Sequence, residues 1–173
     1  EVQVVLNKYQ TLIDEASEVL GKTSSSIKKS ALGGFATEAM LSWDYSAYNI
    51  GGDIDLAIIN TAGIRATIDS GDITRADVFE VFPFNNMVVL VNMKGKDIKA
   101  LCNRNSSYLY LDVRNGLSSY KNFDDNTIYQ IAVIDYVFEG TYYSEFRNLS
   151  KDAYIETNII LRDQLIDYID KKY

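Results

Sequence analysis

The sequence predicts an α+β domain in which helices cover a mixed or mostly antiparallel sheet, and three observations lead there. Two helical patterns precede the first apolar strand, short strands cluster between residues 108 and 134, and a last helical pattern closes the chain. Nothing repeats at a fixed period, and no interior stretch has the proline, glycine or serine content of a linker. Residues 1–173 therefore read as one domain, and 47% hydrophobic residues suffice for a sizeable core.

Residues 2–20 read as a helix, because Val5, Tyr9, Leu12, Ile13, Ala16, Val19 and Leu20 recur at three- and four-residue spacing before Gly21. The segment 1–22 suits either a connector to something upstream or packing on its own domain. Residues 23–29 form a polar connection, and a second helix is expected over 34–45 with Phe35, Ala39, Met40 and Trp43 inward. After the Gly51-Gly52-Asp53 break, residues 55–60 form a buried strand. Thr74 can cap a short helix through Glu80, since its hydroxyl accepts a free amide at the helix start. The valine-rich run 87–93 reads as a strand, and Lys94-Gly95-Lys96-Asp97 turns into a helix through about Asn103. Further strands are expected over 108–113, 117–120 and 128–134, and Thr157 or Asn158 is expected to cap the last helix.

Composition excludes several chemistries. There is no histidine and one cysteine, Cys102, so a Ser-His-Asp triad, a Cys-His pair and a histidine-ligated metal centre are all ruled out. A net charge of −7 disfavours nucleic acid and anionic membrane surfaces as partners. No apolar run approaches the roughly 18–20 residues needed to span a bilayer. Asp53 and Asp55 can bind a cation or cap a turn, and residues 124–126 read as a solvated hairpin loop.

Binding is better represented. An apolar strand ends at Asn60, a small-residue turn through Gly63 follows, and Arg65 lies just beyond it. The only proline, Pro83, fixes a turn that presents Phe84. An amide, a guanidinium and an aromatic face are the groups a ring-bearing, hydroxylated molecule such as a nucleoside needs.

The run Asn60-Thr61-Ala62-Gly63-Ile64-Arg65, with residues 69–86 (Asp-Ser-Gly-Asp-Ile-Thr-Arg-Ala-Asp-Val-Phe-Glu-Val-Phe-Pro-Phe-Asn-Asn), resembles the C-terminal domain of the 5′-nucleotidases. The segments 31–40, 127–135 and 161–165 are similar to further parts of that domain, so the resemblance covers nearly the whole chain. It implies a layered α/β/β/α fold of mixed sheets covered by helices. It also implies a substrate-binding domain for a nucleoside or nucleotide, working in cis or trans with a metallophosphatase domain that holds two divalent metals. By resemblance, Asn60 contacts the nucleoside, Arg65 reaches ribose and phosphate, and Phe84 and Tyr136 stack on the base. Lys28 is the best replacement by charge for a phosphate-contacting arginine. The same resemblance implies an extracytoplasmic location.

The chain departs from the family pattern in two places. Thr61-Ala62 stands where glycines are common, and the turn expected to carry a ribose-contacting aspartate reads Glu139-Gly140-Thr141-Tyr142-Tyr143. The aspartate aligns roughly with Tyr142, leaving Glu139 and Glu145 as substitute acceptors. Plainer structural readings remain for every site residue. Asn60 can satisfy its own turn, Arg65 can pair with Asp69 or Asp72, and Phe84 and Tyr136 can belong to the core. Three functions follow: the substrate-binding domain of a hydrolase, inactive alone; a stand-alone binding module; and a structural domain with a decayed pocket.

Overall fold

A computed structural model describes residues 2–49, 52–114, 116–141 and 143–172. Gly51 of the expected break and Tyr142 of the expected ribose turn lie outside them. The architecture is α+β, as the patterning predicts. Helices α1 (Val2–Ala16) and α2 (Lys29–Ser42) are separated by strand β1 (Val19–Thr23). Strand β2 (Leu56–Asn60), a 3-10 turn over Thr61–Gly63, strand β3 (Gly71–Thr74) and helix α3 (Arg75–Val81) follow. Then come β4 (Met87–Lys94), α4 (Gly95–Asn105), β5 (Leu109–Val113) and β6 (Ile128–Ile134). The chain closes with α5 (Asp135–Phe138), α6 (Ser144–Arg147), β7 (Tyr154–Ile160) and α7 (Leu161–Lys172).

Five strands form one mixed sheet in the order β5-β2-β6-β4-β7, with β2 and β6 parallel and the other neighbours antiparallel. All five residues of β2 are buried, which explains why its sequence is a continuous apolar run and not an alternation. Helix α2 lies against β2, β5 and α7. Its Gly33 is the close-approach point: a Cβ there would stand 2.6 Å from the Tyr110 ring. Thr74 caps α3 as expected, within a capping box in which Asp77 returns the bond to the Thr74 amide (2.7 Å).

Several expectations need correction. The first helix stops at Ala16, and Val19–Thr23 is a strand paired with β3. The helical spacing of Val19 and Leu20 with the residues before them concealed that change. Helix α1 is exposed along almost its whole length and touches the rest of the domain mainly at α3, so its apolar face does not pack on its own domain. Helix α2 begins five residues earlier than expected. Residues 117–120 form no strand, and a 3-10 turn begins at Tyr120. Thr157 caps nothing: it sits in β7 and its hydroxyl donates to the Val88 carbonyl (2.6 Å). Residues 124–126 join no hairpin either, because β5 and β6 flank β2 on opposite sides.

Candidate functional site

Register places the expected site residues at one end of the large sheet. Asn60 ends β2 opposite Leu109, Ile134 ends β6 opposite Val88, and Met87 begins β4 opposite Ile160 at the end of β7. The loops carrying residues 61–65, 82–86, 105–108 and 135–147 therefore gather there. The carboxyl ends of parallel strands commonly form such a crevice.

The turn after β2 is held by its backbone. The Thr61 amide donates to the Tyr108 carbonyl (2.8 Å), the Arg65 amide to Val81 (2.8 Å), and the Arg65 guanidinium to Ala62 (3.2 Å). Arg65 is exposed, and Asp72, one of its alternative partners, pairs with Lys22 instead. Asn60 is 8% exposed, and its Oδ1 is buried without a hydrogen-bond partner. A Cβ at Gly63 would lie 2.8 Å from that oxygen, so glycine leaves room for the amide.

The Phe84 turn is held from the far end of the chain. Arg162, 7% exposed, donates to the Phe82 carbonyl (3.0 Å) and to Asn85 Oδ1 (2.6 Å), and its guanidinium stacks 3.8 Å from the Phe79 ring centroid. Burial lowers its pKa and neighbouring Asp163 opposes that shift. Asp135 ties this wall to the next, accepting from the Met87 amide (3.0 Å) and the Tyr136 amide (2.6 Å). Phe84 and Tyr136 are 50% and 62% exposed, so neither is core.

A cavity of about 440 Å³ opens beside Tyr136. Asn60, Thr61 and Ala62 form one wall, Asn105 and Tyr108 a second, and Tyr136 and Tyr143 a third. Asn105 is buried, its Nδ2 donating to the Leu101 carbonyl (2.9 Å). Tyr143 is buried against Gly140, and burial raises its pKa, with a smaller push from Tyr136. Among the described residues no charged side chain lines the cavity. Sequence reasoning missed Asn105 and Tyr108, which reach Asn60 through the antiparallel pairing of β5 with β2, and Tyr143, whose segment follows β6, the parallel neighbour of β2.

The remaining candidates do not line the cavity. Lys28 stands exposed at the N-cap of α2 and is not among the cavity's walls. Glu139 is exposed, while Glu145 is drawn into an ion pair with Arg104, so neither lines the cavity. Burial pushes the Cys102 thiol up to about 12, which removes it as a nucleophile. Among the described residues no cluster of three histidine, cysteine, aspartate or glutamate side chains can hold a metal ion. With no histidine in the sequence, these residues do not fit a two-metal centre. No described helix is long and apolar enough to cross a membrane.

Fold and geometry together define an α+β domain whose loops surround an open, aromatic-lined cavity at one end of a mixed sheet. Residues 11–118 match the family described as the 5′-nucleotidase C-terminal domain, and the chain belongs to that family. It is 30% identical over 135 residues to protein UshA of Yersinia enterocolitica, covering 68% of this chain and 24% of that one. It is 35% identical over 111 residues to the trifunctional nucleotide phosphoesterase YfkN of Bacillus subtilis, covering 64% of this chain and 6% of that one. A 5′-nucleotidase precursor from Thermus thermophilus superposes with a TM-score of 0.75 at 21% identity, over 98% of this chain and 39% of its own. The NAD nucleotidase of Haemophilus influenzae gives a TM-score of 0.71 at 21% identity, over 98% and 38%. The chain thus spans a quarter or less of these two curated relatives and under two fifths of either solved chain.

Proposed function

We propose that this domain binds the nucleoside or nucleotide substrate of a 5′-nucleotidase-like phosphoester hydrolase. Hydrolysis belongs to a metallophosphatase domain, in cis or trans, that holds the two divalent metals. The observation that carries this reading is the exposure of the Phe84 and Tyr136 rings at the sheet end where Asn60 and Arg65 also lie. Phe84 and Tyr136 stack on the base, Asn60 meets its edge, and Gly63 gives the Asn60 amide its room. Arg65 reaches ribose and phosphate, where a planar fork of donors pairs with two oxygens. Lys28 supplies a further positive charge toward phosphate. An extracytoplasmic location goes with this reading.

Titration with adenosine and AMP by calorimetry, without added metal, tests it. Phe84→Ala is expected to weaken both ligands about tenfold, the size of one lost stacking contact. Arg65→Ala is expected to weaken AMP more than adenosine. AMP binding that is indifferent to both changes would sink the assignment. Absence of binding by a folded chain would favour the structural-module reading.

A further inference from the structure

We propose that the cavity beside Asn60 is a second, uncharged subsite for a flat nitrogen heterocycle, lying on the opposite side of Tyr136 from Phe84. Strand order supplies the placement. Tyr136 follows β6, which stands between β2 and β4. Phe84 belongs to the turn that leads into β4, whereas the cavity is walled from the β2 and β5 side and Phe84 is not among its walls. Tyr136 thus stands between the cavity and the Phe84 turn.

The chemistry of the walls selects the ligand. At about 440 Å³ the cavity falls within the ordinary range of small-molecule sites. Tyr108, Tyr136 and Tyr143 offer ring faces, and every base or related heterocycle has a face to stack on them. Burial raises the Tyr143 pKa, and among the described residues no charged side chain lines the cavity. A phosphate or carboxylate would enter without a partner there, so the ring itself must be neutral. Two side chains at least nine-tenths buried, Asn60 and Asn105, line the cavity, and the Asn60 Oδ1 lacks a partner. A buried amide with an unfilled hydrogen bond favours a ring whose edge carries donors and acceptors over a plain hydrocarbon. A molecule with two heterocycles can occupy both sides of Tyr136 at once.

This subsite shares Tyr136 and Asn60 with the proposed nucleoside clamp but does not depend on Phe84. Adenine, which carries neither ribose nor phosphate, is the probe, titrated into the 173-residue chain by calorimetry and amide NMR. The expected result is two adenine sites in the parent, one of the two weakened about tenfold in each of Tyr108→Ala and Phe84→Ala. In the parent, the Asn105 and Tyr143 amides shift with adenine; Tyr108→Ala weakens that response about tenfold, while Phe84→Ala spares it. Loss of binding in Tyr108→Ala alone would leave this subsite standing and overturn the Phe84 clamp. Loss in Phe84→Ala alone, with unmoved Asn105 and Tyr143 amides, would overturn the subsite and leave the clamp. If Tyr108→Ala fails to fold, the parent's Asn105 and Tyr143 shifts decide: their absence overturns the proposal.

Discussion

The two ends of the five-stranded sheet treat their polar and aromatic groups in opposite ways. At the end away from the cavity, Arg114 reaches both Asp53 and Asp55 (2.9 Å each), and Asp55 also accepts from the Gln130 amide (2.9 Å). The two aspartates are thus partners of a guanidinium there. Asp124 Oδ1 accepts from the Asn126 amide (2.9 Å), the Thr127 amide (3.1 Å) and the Thr127 hydroxyl (3.2 Å); the first two of these bonds do most to hold its pKa below the usual carboxylate range. At the cavity end, Tyr108, Tyr136 and Phe84 stand open to solvent and the Asn60 oxygen has no partner. The first end uses its side chains to close the fold. The second keeps rings and amides available, which is where recognition of a ligand is expected.

That contrast can be broken at Arg162, a heavily tied point on the cavity side. Arg162→Ala orphans the Phe82 carbonyl and empties the space over Phe79, so a loss of about 3 kcal/mol is expected in denaturant unfolding. A loss under about 1 kcal/mol would mean that the Phe84 turn holds itself. At the opposite end, Gly95→Ala drives a methyl into the Asp124 carbonyl, and a loss of about 2 kcal/mol is expected by the same assay. Arg114→Ala, exposed on one side, should cost about 1 kcal/mol with no change in AMP affinity. An affinity change there would show that the two ends communicate.

The smallest effect concerns Glu38, between α2 and α7. A hydrogen bond from Tyr168, with smaller help from Lys172, holds its pKa below the usual carboxylate range. A lowered folded pKa means the stabilisation is present above the unfolded value and fades as the pH falls through the folded one. Glu38→Gln should flatten that acid-side decline in thermal melts while leaving the plateau nearly unchanged, because the group is partly exposed.

Much of this fold was legible because its signals are local. The apolar runs of β2, β4 and β6 and the Thr74 cap can each be read within a few residues. Strands β1, β3 and β7 were not, and their physics explains why. β1 and β3 form a small two-stranded sheet of their own, and β7 is an edge strand whose register shifts against β4. Edge pairing leaves weak alternation, and Thr157 looked like a cap because its hydroxyl does bond a backbone oxygen, only across strands. The turns at Asn60 and Phe84 stood out through their glycine and proline. Tyr108, Asn105 and Tyr143 carry no such mark; a chain with thirteen tyrosines gives no way to single out Tyr108 and Tyr143 before the topology is known.

The bond from Arg162 to Phe82 spans eighty residues, and the one from Thr157 to Val88 spans sixty-nine. A chain that emerges from its amino terminus therefore makes the Phe84 turn long before it can fasten it. Until β7 has emerged β4 lacks a neighbour on one side, and until α7 follows it the turn lacks its guanidinium. Ligand-binding competence should then be among the last properties acquired during synthesis, and a chain shortened by its final helix should keep much of its sheet while losing the ability to hold that turn in place.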